Sequence, residues 1–235
     1  PRKKRLLGRG RVVALIGADG TGKSTLTEDL RERLSWKLKV ENAYLGLPRT
    51  SPSVRSLKWL GTKLTKLGFS RLAAFASALR WISVARVRLR EARRAQRLAA
   101  RGWLVIADRY PQPEFASMSA PMDGPRIVSE NGGHETWLAA WEQSTYDRIP
   151  PATDTFVLTA PFNCLHARKP DTEIEIHREK VDAVNALALD RARFTVDVSQ
   201  PYAEVRLHIT REIWRRIAGM KEADFLSLGV DSPSR

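Results

Sequence analysis

The chain has 235 residues and a net charge of +14, enough length for one full hydrophobic core and a balance that favours polyanionic ligands: nucleotide, nucleic acid or an anionic membrane surface. It has no uncharged apolar run of membrane-spanning length and no opening signal peptide, so a soluble cytoplasmic protein is expected. Cys164 is the single cysteine, which excludes disulfides within the chain and any cysteine-based metal cluster.

The first ten residues include the basic run Pro1-Arg2-Lys3-Lys4-Arg5 and read as a tail or linker rather than a nuclear or nucleic-acid address. The chain does not start at methionine, which leaves room for a longer protein. Val12-Val13-Ala14-Leu15-Ile16 is a short apolar, β-branched run that predicts a buried strand. Gly17-Ala18-Asp19-Gly20-Thr21-Gly22-Lys23-Ser24 follows and fits G-x-x-x-x-G-K-[ST], the P-loop. From Thr25 onward, Leu26, Leu30 and Leu34 recur one helical turn apart. Strand, glycine-rich turn and helix are the context that motif needs, because the glycines let successive amides and the positive helix end converge on one anion. Residues 17–25 are therefore the candidate ATP-binding set, with Lys23 reaching the β- and γ-phosphates and Ser24 ligating Mg2+.

A second strand is expected from Leu38 to Leu45, ended by Gly46 and Pro48. No acidic residue occurs between Asn42 and Arg90, although the stretch is rich in lysine and arginine. Two helices are predicted there, one near Val54–Lys66 and a longer one from about Arg71 to Ala100, interrupted around Gly68. In the first, Leu57, Leu60 and Leu64 share a face, Trp59 is nearby, and Lys58 and Lys63 flank it. Such a helix can lie on an anionic membrane or pack on its own core with solvated lysines; the second reading is the more ordinary.

Trp103-Leu104-Val105-Ile106-Ala107-Asp108 reads as a buried strand ending in an acid, followed by Arg109 and Tyr110. In a P-loop site the strand that delivers such an aspartate to the carboxyl edge of the sheet supplies the magnesium shell, which makes Asp108 a metal candidate beside Ser24. Gln112 to Gly133 reads as a long loop, and a helix is expected from about His134 to Arg148. On that helix Glu142 and Tyr146, four residues apart on one face, can form an acceptor contact or a buried-edge hydrogen bond, the second being the more ordinary reading. A fourth strand, Thr155–Leu158, leads to a helix near Pro161 and to His166-Ala167-Arg168-Lys169-Pro170. A helix lined by Ile174, Val181, Val184 and Ala188, a fifth strand at Phe194–Val198 and a last helix from about Gln200 to Ala218 complete the order. Residues 221–235 read as a tail. Trp36, Trp59, Trp81 and Trp214 are expected in a core or an interface, and the four histidines lack metal-ligand spacing.

Alternating strands and helices predict a three-layer α/β/α P-loop NTPase fold with a five-stranded parallel sheet, spanning residues 11–220. The P-loop with Thr25, Ala85-Arg86 before the third strand, Asp108-Arg109-Tyr110 after it and a basic lid near Arg168 together resemble the thymidylate kinase family of nucleoside monophosphate kinases. The resemblance implies that Asp108 orients the magnesium shell, that Arg109 and Arg86 hold the acceptor phosphate, with Tyr110 beside them, and that Asp19 faces the acceptor sugar. It also implies a helical lid at about 166–180. Gly20 stands where one branch of the family has an arginine, so Arg168, helped by Lys169, is the lid cation that the other branch would use. Gly46-Leu47-Pro48 stands where the family commonly has an acceptor-phosphate arginine, leaving Arg49 as the substitute. The implied reaction is ATP- and Mg2+-dependent phosphoryl transfer to a nucleoside monophosphate, dTMP to dTDP being favoured. Two alternatives stay open: a P-loop kinase for another small or membrane-linked acceptor, and a nucleotide-regulated basic module for nucleic acid or anionic lipid. The partners expected are ATP, a nucleotide acceptor, a second copy of the chain, and weak membrane or nucleic-acid contact through the basic helices.

Overall fold

The computed structural model describes residues 3–6, 10–48, 50–112, 114–115, 123–127, 135–188 and 193–219. Arg49 and the tail from 220 onward, both singled out above, lie outside the described residues. The elements run β1 Arg11–Gly17, α1 Lys23–Leu34, β2 Val40–Tyr44, α2 Pro52–Lys66, α3 Ser70–Ala100, β3 Leu104–Asp108, α4 Glu135–Tyr146, β4 Asp154–Thr159, α5 Phe162–Arg168, α6 Ile174–Ala188, β5 Phe194–Asp197 and α7 Tyr202–Ala218. The five strands form one parallel sheet in the order β2-β3-β1-β4-β5.

Because successive residues of a strand point to opposite faces, each strand serves two cores. Val13, Leu15, Leu104, Ile106, Phe156 and Leu158 pack with Leu26, Leu30 and Leu34 of α1 and with apolar residues of α6 and α7. Their neighbours Val12, Ala14, Val105 and Ala107 pack on the other side against Ala92, Ala95 and Ala99 of α3. Helices on both faces explain why the strands read as continuous apolar runs rather than alternating ones. The alanine stripe brings α3 close to the sheet, and that closeness later fixes which of its arginines reaches the interior.

At the amino edge of the sheet, the buried carboxylate of Asp154 accepts from Arg11 Nε at 2.6 Å and from Arg216 Nη1 at 3.0 Å, tying β1, β4 and α7 together. The basic tail is also paired where it is described. Lys4 forms a parallel bridge with Leu38, and the Leu6 amide donates to the Gly102 carbonyl. Of the core and interface positions expected for the tryptophans, the core does not hold for Trp36 and Trp59, which are 62% and 63% exposed. Among the described residues no helix is long and apolar enough to cross a membrane.

The register sets the edge where chemistry can occur. Leu15 pairs with Asp108 and Tyr44 also pairs with Asp108, so β1, β2 and β3 end together. The chain leaves β1 toward β2 and later crosses to β4 on its other flank. Ligands of open α/β sheets bind where the connections diverge in this way.

Candidate active site

The turn after β1 is held by backbone that only glycine adopts readily. Gly20 has φ +88° and Gly22, the residue capping α1, has φ +78°. No side chain caps α1, so its first amides stay available to an anion. A Cβ at Gly20 would lie 2.7 Å from the Leu165 carbonyl oxygen, so α5 closes over the turn through backbone contact.

Lys23 is buried, and its Nζ donates to the Ala18 carbonyl at 2.7 Å and to Thr21 Oγ1 at 3.2 Å. Burial, reinforced by the nearby Arg109 charge, pulls its pKa down to about 8 against the opposing pull of Asp108, Asp19 and Asp123. Beside it, Ser24 Oγ donates to Asp108 Oδ2 at 3.0 Å. The other oxygen of that carboxylate, Oδ1, is buried without a hydrogen-bond partner. A hydroxyl and a carboxylate in contact, with one buried oxygen unused, form the hard oxygen donor set that Mg2+ takes, so the residues fit that ion.

Arg109 follows Asp108 with φ +60°, a strained conformation for a non-glycine residue at the end of a buried strand. Its guanidinium lies 3.4 Å from Asp19 Oδ1 and 3.6 Å from Asp123 Oδ2. Gly46 makes room for it, since a Cβ there would sit 2.6 Å from Arg109 Cδ. Asp108 and Arg109 therefore share the edge held by Lys23 and Ser24.

Asp19 is the crossing point. Besides Arg109 it accepts from Lys180 Nζ at 2.7 Å, and its carbonyl lies 3.0 Å from His177 Nε2. Burial raises the Asp19 pKa, but the Lys180 hydrogen bond and the charges of Lys180, Lys23 and Arg109 outweigh it and hold the group at about 2. On the Asp123 side the cluster is closed by Arg88, 4% exposed, which donates to Asp123 Oδ1 at 2.5 Å and to the Tyr146 hydroxyl at 2.6 Å. Burial pushes the Asp123 carboxyl up despite Arg88 and Arg109.

The residues expected to act together divide into those that meet and those that do not. Lys23, Ser24, Asp19, Asp108 and Arg109 converge. Arg86 points elsewhere: its guanidinium stacks on the Trp141 ring at 4.6 Å, in a groove of about 490 Å³ shared with Arg90, Arg93, Arg97 and Arg148. Tyr110 is buried in the α3-side core and spends its hydroxyl on the Pro150 carbonyl. Arg168 is exposed and turns to the Val198 carbonyl at 3.1 Å, while Lys169 is exposed beside it. Glu142 accepts from the Arg126 and Ile127 amides at 2.8 Å, the buried-edge role expected of it.

Arg88, Lys180, His177 and Asp123 were missed as site residues by sequence reasoning. Arg88 had a signal. It lies on the same helical face as Ala92, Ala95 and Ala99, and an arginine on a stripe of buried alanines faces the interior. Lys180 neighbours Val181 on the buried side of α6, a weaker signal because long lysine stems commonly cover apolar surface.

No family model matches the chain. The chain is 30% identical over 211 residues to the protein named uncharacterized ATP-binding protein YghR of Escherichia coli (strain K12), covering 83% of each. The same holds for YghR of strain O6:H1. It is 26% identical over 218 residues to the uncharacterized ATP-binding protein YghS of strain K12, covering 83% of this chain and 89% of that one. With its parallel sheet and glycine-rich turn of the P-loop type, and with that identity across most of both chains, the chain belongs to the family of YghR.

Proposed function

We propose that residues 11–220 form a Mg2+-dependent phosphotransferase that passes the γ-phosphoryl group of ATP to an anionic small molecule, a nucleoside monophosphate, with dTMP the first acceptor to test. One observation carries the reading. Lys23 lies on the same edge as Arg109 and Arg88: Arg109 pairs with Asp19 of the glycine turn and with Asp123, which also holds Arg88, while Lys23 stays bonded to the Ala18 carbonyl and Thr21 hydroxyl of that turn. Transfer between two anions needs both charges neutralised and both ends held in line. The ATP-binding designation of the relatives YghR and YghS supports the nucleotide, and the resemblance to thymidylate kinases supports the acceptor class.

In this reading Lys23 exchanges the Ala18 carbonyl and Thr21 hydroxyl for phosphate oxygens, while the unpaired amides of α1 hold the same anion. Ser24 and Asp108 would hold Mg2+, which would supply charge neutralisation to the donor phosphates. Arg109 and Arg88 release Asp123 and take the acceptor phosphate between them. An acceptor oxygen then bonds to the γ-phosphorus as the bond to the β-phosphate oxygen breaks, and ADP leaves with that electron pair. Residues 166–180 act as the lid. Lys180, already on Asp19, reaches the transferring group as an alternative to Arg168.

The test is a coupled assay of ADP formation with ATP, Mg2+ and a panel of nucleoside monophosphates. Turnover is expected with at least one of them, and Lys23→Ala removes nearly all of it, a loss of at least about a thousandfold. Arg88→Lys raises the acceptor KM tenfold or more, because an ammonium cannot replace a guanidinium shared by two partners, and Arg86→Ala leaves that KM unchanged. ATP consumption with none of the acceptors sinks the reading.

A further inference from the structure

We propose that the free end of the α2–α3 hairpin is a docking surface for an anionic lipid bilayer. α2 packs on α3 and on little else, and Val54 is its one fully buried residue. The contact between the two helices is made by small residues, with a Cβ at Gly61 meeting only Ala73 and Ala76 at 3.8–3.9 Å. The large side chains therefore face outward. Trp59, Leu60, Leu67, Phe69, Leu72 and Phe75 are each 40–68% exposed, and these six account for half of the twelve exposed large hydrophobic residues among the described residues. They fall within seventeen consecutive positions at the tip of one hairpin. Exposed apolar area so concentrated marks an interaction site.

Charge selects the occupant. Arg55, Lys58, Lys63, Lys66 and Arg71 border the apolar residues, none of them is in an ion pair among the described residues, and no acid occurs from Asn42 to Arg90. Lys63 Nζ stands 5.9 Å from the centre of the Trp59 ring, an aromatic and a cation side by side at an exposed rim. A second copy of the chain is a poor fit, because two-fold pairing of this face sets the same basic residues against each other with no acid between them. A nucleic-acid backbone suits the lysines but gains nothing from exposed leucine and phenylalanine. An anionic bilayer satisfies both halves: phosphate headgroups meet the basic rim, and the acyl boundary takes the leucine, phenylalanine and tryptophan side chains.

The test is co-sedimentation of the whole chain with vesicles of phosphatidylcholine alone and of phosphatidylcholine with about one-third phosphatidylglycerol, at ~150 mM salt. The chain is expected to pellet with the anionic vesicles and to stay in solution with the neutral ones. Lys63→Glu with Lys66→Glu lowers the partition coefficient by more than about twentyfold, since each basic residue near an anionic surface contributes roughly fivefold. Leu67→Ser with Phe69→Ser lowers it by about tenfold or more. Both pairs keep the parent melting temperature, because neither touches a buried contact. Equal recovery with both vesicle types overturns the proposal, as does sedimentation unaffected by L67S/F69S. So does a dimer in light scattering that L67S/F69S converts to monomer, or tighter binding to a single-stranded oligonucleotide than to vesicles.

Discussion

Lys23 concentrates the residue-scale chemistry, because its burial costs it charge. With its pKa near 8 instead of the usual 10.5, the side chain is mostly protonated at pH 7 and loses its proton within the next two pH units. A nucleotide phosphate binds the ammonium and not the amine, so affinity for ATP is expected to fall about tenfold per pH unit above 8. Binding near pH 8.5 then takes up a fraction of a proton, which calorimetry in buffers of different ionisation enthalpy reads directly. The sign for the unliganded fold is opposite. Between about 8 and 10.5 the unfolded chain holds more protons at this site than the folded one, so this lysine's contribution makes the free protein more stable as pH rises through that window. A flat affinity profile from pH 7 to 9.5 refutes the assignment. The lysine itself was legible in the spacing of its glycines. Its depressed pKa was not, because it comes from the packing around the turn, which the motif does not encode.

At the scale of elements, Asp154 is the joint to test. It starts β4 at the edge of the sheet opposite the glycine turn, and its side chain is 2% exposed beneath two arginines from β1 and α7. Burial alone would raise its pKa, yet the hydrogen bonds from Arg11 and Arg216 leave it lowered. The stability it provides is therefore present above the ordinary carboxylate range and is lost as pH falls through the lowered value. Asp154→Ala is expected to destabilise the fold by about 3 kcal/mol in urea unfolding, since it leaves two guanidinium groups without their shared partner. ATP affinity at low temperature should not change. The elements that this joint connects were legible because strands buried on both faces carry long apolar runs and their helices carry a stripe. What was not legible was rotation. Arg86 and Arg88 are two positions apart, so about 200° separates them around α3, and the close fit of Ala92, Ala95 and Ala99 on the sheet turns Arg88 inward. The same holds for Arg168 and Lys180, because the approach of α6 to the glycine turn puts Lys180 on Asp19 while Arg168 turns to the Val198 carbonyl just after β5.

For the whole molecule the governing quantity is the field of a chain of net charge +14. The active edge itself is close to balanced, with Lys23, Arg88, Arg109 and Lys180 facing Asp19, Asp108 and Asp123. Most of the excess charge therefore lies outside the site, in α2, in the Arg86–Arg97 side of α3 and around Arg148. Charges at such distances steer an approaching polyanion, but they do not touch it once it is bound. The two effects separate kinetically. Raising salt from about 50 to 500 mM shortens the screening length from roughly 14 Å to 4 Å, which removes the remote field and leaves direct contacts less affected. The association rate of ATP is expected to fall about tenfold over that range while its dissociation rate changes less than about threefold, in stopped-flow measurements with a fluorescent ATP analogue. Replacing Arg90, Arg93 and Arg97 together by glutamine should reproduce part of the loss in association at low salt with no change in dissociation. If salt acts instead on dissociation, the remote basic surface has no part in nucleotide capture.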